Sequence, residues 1–116
     1  MAEIYHCATK RDWEAAQAAG EYTISSRGRT LAEEGYIHAS SAGQILGVLH
    51  RFYADLTEPL CLLVVDPDLV GAPVVEENLE GGSELFPHIY GPLPVSAVIR
   101  VDDLVRESDS WKWPGH

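Results

Sequence analysis

Leu60–Val65 reads LCLLVV, the longest apolar run in the chain. It is too short to cross a bilayer and rich in valine and leucine, which predicts a central strand covered on both faces. Asp66–Pro67–Asp68 closes it as a turn. A chain of 116 residues with one such strand is expected to form one domain. A protein of this size buries roughly 65% of its unfolded surface, enough for a core without staples.

Upstream, Glu3–Ala8 (EIYHCA) predicts a first strand with Ile4, His6 and Ala8 on one face and Tyr5 and Cys7 on the other. Alternation therefore separates His6 from Cys7 as a nucleophile–base pair. A helix follows, capped by Thr9, with Asp12 in its first turn and a stop at Gly20. Glu21–Ile24 reads as a short extended piece. Ser25–Thr30 (SSRGRT) concentrates positive charge and hydroxyls, so Arg27 and Arg29 are candidate phosphate or carboxylate ligands; an exposed loop is the plainer alternative. No P-loop or Rossmann fingerprint is present.

Leu31–Glu34 predicts one helical turn stopped by Gly35. Tyr36–Ser40 predicts a short strand with Tyr36, His38 and Ser40 on one face and Ile37 and Ala39 in the core. Residues two apart on that face lie roughly 7 Å apart, which suits joint contact with a ligand better than a direct Ser–His nucleophile pair. A second helix is expected from about Ser41 to Ala54, with a Ser41–Gln44 capping box and a buried stripe of Ile45, Val48, Leu49 and Phe52. His50 and Arg51 fall off that stripe and are assigned to the surface.

Downstream, Pro73–Glu77 predicts a strand ending in two carboxylates on opposite faces, of which Glu76, in step with Val74, is taken as the inward one. Asn78–Glu84 is a Gly- and Glu-rich loop. Leu85–Pro94 (LFPHIYGPLP) sets His88 and Tyr90 between prolines, with Phe86 and Ile89 as core anchors. Val95–Asp102 alternates and predicts a strand with Val95, Ala97, Ile99 and Val101 set against Ser96, Val98, Arg100 and Asp102. The order β, α, short β, α, then several strands fits an α+β fold, a small split β-sheet with two main helices. The domain is placed at residues 1–104, with 105–116 as a polar tail in which Trp111 and Trp113 can dock.

Eighteen acidic residues against eight basic ones give a net charge of −10, which argues against extended nucleic-acid binding. The opening MAEIYHC has no basic region or long apolar segment, so neither a signal peptide nor a membrane span is expected, and a cytoplasmic location is the default. Cys7 and Cys61 are read as buried reduced thiols.

IYHCA, then EEGYIHASS leading into a Gln-containing helix, then ELFPHIYGPLP before a valine-rich strand, together resemble a small, mainly bacterial family, domain of unknown function 952. The resemblance runs in order to about Val101. It implies a fold related to the ADP-ribosyltransferases, two small split-sheet halves with helices around a cleft. In such proteins a His or Arg on an early strand, a small polar or aromatic residue on a second strand, and a late Glu form the NAD site. By position, His6 is similar to the first, Tyr36, His38 and Ser40 to the second, and Glu76 to the third. The resemblance thus implies a cleft binding NAD or a related nucleotide, with His6, His38, Glu76 and His88 as catalytic candidates. Tyr36, Ser40, Tyr90, Arg27 and Arg29 are its ligand-binding candidates, and His88 and Tyr90 its far wall. The R-S-E set, Ser-Thr-Ser run and same-face ExE pair of the best-known ADP-ribosyltransferases are absent, which motivates an alternative: a non-enzymatic small-ligand-binding module. A metal site from His6, His38, His88 and Glu76 is a weaker third reading, since no HxH or HExxH spacing supports it.

Overall fold

Every side chain of Leu60–Val65 is fully buried, and the strand is the middle of three. The computed structural model describes residues 2–78 and 84–114. In chain order, β1 (Ile4–Thr9) leads into α1 (Lys10–Ala19), then β2 (Glu21–Tyr22), β3 (Ile24–Ser26) and β4 (Arg29–Thr30). One turn of helix, α2 (Leu31–Glu34), precedes β5 (Ile37–His38), α3 (Ile45–Phe52) and β6 (Leu60–Val65). The rest is β7 (Val74–Glu77), β8 (Phe86–Ile89), β9 (Leu93–Pro94), β10 (Val98–Asp103), β11 (Val105–Glu107) and β12 (Ser110–Lys112). Among the described residues no helix is long and apolar enough to cross a membrane.

The architecture is α+β with split sheets. One three-stranded antiparallel sheet has the order β1-β6-β10 and a second has the order β5-β8-β7. Parity along β6 divides the core in two, as a strand with period two must. Cys61, Leu63 and Val65 pack with Ile4, Ala8, Tyr22, Ile37 and Ile89. Leu60, Leu62 and Val64 pack with Tyr5, Cys7, Ile45, Leu49, Trp111 and Trp113 on the other side. The C-terminal hairpin β11-β12 carries Trp111, whose Nε1–H donates to the Tyr53 carbonyl at 2.9 Å.

Local signals set the helix ends. The Thr9 hydroxyl accepts from the Asp12 amide at 3.1 Å, and α1 stops at Gly20 with φ 90°, a conformation glycine adopts without a Cβ penalty. α2 closes the same way at Gly35, φ 89°.

Three expectations are corrected. The second helix ends at Phe52 rather than Ala54, and its start, Ala42–Gln44, is a 3-10 turn. Phe52 is 54% exposed instead of buried, because Ile45, Leu49 and Tyr53 fill that part of the core. Val95–Ala97 is a 3-10 turn, and the strand begins at Val98. Its ladder to β6 shifts between Val98 and Arg100, which breaks the predicted alternation and leaves Ile99 and Val101 exposed on an edge strand.

Candidate functional site: the cleft between the split sheets

Among the described residues the two sheets touch at one backbone bridge. Tyr5 and Ser40 exchange N–H···O bonds of 2.8 Å each way, joining β1 to the chain just after β5. Two residues before Ser40, at His38, a side chain takes over from the ladder: His6 Nδ1 lies 2.5 Å from the His38 carbonyl. A carbonyl only accepts, so Nδ1 carries the proton, and Nε2, 2.9 Å from the Tyr22 hydroxyl, accepts from it. Burial lowers the His6 pKa to about 4, so His6 is neutral near pH 7. The same burial drives the Tyr22 hydroxyl up, keeping it a donor.

Beside this wedge opens a cleft of about 690 Å³. β1 contributes Tyr5, His6 and Cys7; the β3–β4 hairpin contributes Ser25, Ser26 and Arg27; the end of β5 contributes His38, Ala39 and Ser40. α3 adds Arg51 and Phe52, and Asn78, Glu84 and Phe86 complete the opposite side. His6, His38, Ser40 and Arg27 are therefore brought together. Arg27 reaches the cleft already committed: its Nη1 donates to the Phe52 carbonyl at 3.1 Å, closing the end of α3, and to Asp55 at 2.7 Å.

Arg29, Tyr36, His88 and Tyr90 lie outside the lining, and Phe86 is the member of the Leu85–Pro94 stretch that reaches it. Arg29 pairs with Glu34 at 3.3 Å. Tyr36, His88 and Tyr90 form a second cluster on the β5-β8-β7 sheet, joined to the cleft through His38. The Tyr36 ring lies 4.4 Å from His88, 4.9 Å from His38 and 5.5 Å from Tyr90, centroid to centroid. The carboxylate in that cluster is Glu77, not Glu76. Antiparallel pairing sets Val75 opposite His88 and Glu77 opposite Phe86, so Glu76 projects from the other face and is exposed. Glu77 Oε1 accepts from His88 Nδ1 at 2.9 Å and from the Tyr90 hydroxyl. Those bonds, Tyr90's first, hold the Glu77 carboxyl below its usual range, and Glu77 pushes Tyr90 up to about 12. His88 is fully buried, and its Nε2 has no partner among the described residues.

Comparison with known proteins places this arrangement in a family. The model for the family described as Protein of unknown function (DUF952) matches residues 7–101. The chain belongs to the DUF952 family. It is similar to protein CC0527 from Caulobacter crescentus: the crystal structure is 31% identical, with 93% of this chain and 90% of that chain covered and a TM-score of 0.78. The solution NMR structure of CC0527 is 32% identical, with 96% and 91% covered and a TM-score of 0.76. No curated protein matches.

Three residues of this DUF952 chain matter at the site and escape sequence reasoning. Glu34 Oε1 lies 3.1 Å from His38 Nε2 and orients that imidazole at the cleft wall. Its sequence signal, a carboxylate four residues before a histidine, is interrupted by Gly35. Glu77 was the second of two adjacent carboxylates, and only the pairing of β7 with β8 distinguishes them. Arg51 is exposed, in keeping with its assignment to the surface, and its side chain also lines the cleft. Among the described residues no three His, Cys, Asp or Glu side chains are grouped to hold a metal ion.

Proposed function

We propose that the cleft between the two sheets binds NAD or a related nucleotide and transfers or hydrolyses an ADP-ribose-type group, on the ADP-ribosyltransferase-like frame that the sequence resemblance implies. The observation that carries the reading is the convergence of Ser25, Ser26 and Arg27 with His38 and Ser40 in one cavity of about 690 Å³. That volume suits a ligand of nucleotide size, and its walls combine apolar surface with a few polar groups. Phe52 and Phe86 offer aromatic faces for a base or nicotinamide. His38, oriented by Glu34, handles protons or a ribose hydroxyl. His6 serves as the neutral wedge that keeps the cleft open. The carboxylate that stabilises a developing oxocarbenium-like cation is Glu84, which lines the cleft where Glu76 does not.

Calorimetry and amide NMR titration with NAD and ADP-ribose test the binding. Shifts at Ser26, His38, Ser40 and Phe86 are expected; saturating ligand without shifts there ends the proposal. One observation favours ligand binding without turnover: Glu76 is turned away from the cleft and Glu77 is engaged by His88 and Tyr90. Incubation with NAD separates the two readings, since nicotinamide release belongs to the enzyme alone.

A further inference from the structure

Among the described residues, charge pairing in this acidic protein leaves one arginine over. Arg11 pairs with Glu58 at 3.0 Å, Arg27 with Asp55 at 2.7 Å, Arg29 with Glu34 at 3.3 Å, Arg100 with Asp102 at 2.8 Å and Arg106 with Asp109 at 4.0 Å. Arg51 has no carboxylate partner among the described residues, although acidic side chains outnumber basic ones by 18 to 8. Among the described residues its one hydrogen bond runs from Nε to the Gly47 carbonyl at 3.4 Å, a long contact within its own helix, and neither Nη group makes one. Its guanidinium carbon sits 5.4 Å from the Phe52 ring centroid and 6.0 Å from that of Phe86. Two aromatic rings at that range hold a guanidinium in place without neutralising it.

The cleft that Arg51 lines has a second unspent donor. Ser40 is 5% exposed, lines the cavity, and its hydroxyl makes no hydrogen bond among the described residues. By contrast Ser25 donates to the Tyr36 carbonyl and Arg27 is held by Asp55. The acidic group on the lining, Glu84, is 3.4 Å from Gln44 Nε2. An exposed cation and the hydroxyl of a buried serine, neither paired with a carboxylate among the described residues, line one cavity where a ligand anion can complete the bonding.

We infer that Arg51, assisted by the Ser40 hydroxyl, is the anion anchor of the cleft and takes the pyrophosphate of a nucleoside diphosphate ligand. This rests on reading the cleft as the nucleotide site and assigns the phosphate role to Arg51 in place of Arg27 and Arg29. The guanidinium presents two Nη–H pairs to non-bridging phosphate oxygens, a contact that the two flanking rings direct. Glu84 on the same lining repels the phosphates and so turns the ligand toward Arg51.

The test compares the intact chain with Arg51→Gln and, as a control of equal charge change far from the cleft, Arg11→Gln. Each is titrated at low salt with ADP-ribose, adenosine and inorganic pyrophosphate. Folding of both variants is checked by their amide spectra. Arg51→Gln is expected to weaken ADP-ribose and pyrophosphate by about tenfold or more, the scale of one charge-assisted bond, and to leave adenosine unchanged. Arg51→Lys should recover part of the loss. Unchanged ADP-ribose affinity in Arg51→Gln overturns the inference while leaving the nucleotide reading intact. Equal weakening of adenosine and ADP-ribose also overturns it, since Arg51 would then act by packing. Pyrophosphate that shifts the Arg51 Nε–H resonance of a chain that ignores ADP-ribose and adenosine supports the anchor and removes the nucleotide reading. No shift with either phosphate ligand removes the anchor.

Discussion

His88 Nδ1 and Glu77 Oε1 lie 2.9 Å apart across the β7-β8 ladder, and the imidazole of that pair is wholly buried. The carboxylate accepts from the Tyr90 hydroxyl as well, so two donors favour its ionised form. The neighbouring strand repeats the device: His38, directly opposite His88, has Glu34 on its Nε2. Two imidazoles with centroids 5.3 Å apart are thus each oriented by a carboxylate.

Glu77→Gln should flatten the acid limb of the stability curve. The folded pKa of Glu77 is lowered, first by Tyr90 and then by His88. A depressed carboxyl stabilises the fold above its unfolded value, and that contribution is lost as pH falls through the folded value. Melting temperature recorded from about pH 6 to about pH 3 should fall faster in the wild type than in Glu77→Gln, so that the wild-type advantage seen at pH 6 shrinks and the curves converge from near pH 4.5 downward. Parallel curves would show that the pair contributes nothing in this window.

His6 gives a second pH dependence at higher pH. Its folded pKa is lowered from 6.5 to about 4 by burial, so between those values the unfolded chain binds the extra proton. Stability therefore rises with pH across that interval and is flat with respect to His6 above it. The penalty at the acid end is on the order of 3 kcal/mol, taking about 1.4 kcal/mol per pKa unit. His6→Gln should reduce the rise in urea midpoint between pH 5 and pH 7, and NMR should show the His6 ring still neutral at pH 5 in the wild type. Tyr22→Phe, which strands Nε2, should cost about 1–3 kcal/mol at neutral pH.

How far these features can be read from the sequence depends on how local their causes are. Leu60–Val65 is legible because a strand covered on both faces needs apolar residues at every position. The caps at Thr9, Gly20 and Gly35 are legible because they involve neighbours in the chain. The error at Val95–Asp102 comes from a ladder shift against β6, more than thirty residues away, which no alternation in the strand itself reveals. Glu76 and Glu77 differ only in which faces His88, and that is set by pairing with β8. His6, His38 and Ser40 line one cleft, but strand parity does not select them, since Tyr5, Cys7 and Ala39 of the opposite parity line it too and Tyr36 does not. Arg51 is not legible in the sequence, since its significance is the lack of a carboxylate partner among the described residues, which emerges only when the other arginines are seen paired.

The two thiols should be inert in the native protein. Cys7 and Cys61 are buried and unbridged, on adjacent strands but opposite faces of the sheet. Burial raises both, Cys61 to about 11, so almost no thiolate exists at neutral pH. A disulfide-exchange reagent at pH 7.5 should label neither thiol within the time that labels both in denaturant. Rapid native labelling of Cys7, the one on the cleft lining, would mean that the cleft opens to its floor.

The C-terminal hairpin should be an integral part of the second core. Trp111 is 8% exposed and Trp113 5%, and both pack with Tyr5, Leu49 and Leu60. Trp113 meets Tyr5 edge-on at 5.4 Å, and its Nε1–H donates to Asp102 at 3.0 Å. Trp111→Ala removes a large buried side chain and should cost about 3–5 kcal/mol. Trp111→Phe keeps most of the apolar volume but strands the Tyr53 carbonyl, so about 1–3 kcal/mol is expected. Urea unfolding followed by far-ultraviolet circular dichroism measures both. Because Tyr5 also forms the bridge to Ser40, the Trp111→Ala spectrum should show amide shifts at Ser40 and Ala39 across the cleft. Shifts confined to residues beyond Leu104 would show instead that the hairpin is an appendage whose packing does not reach the site.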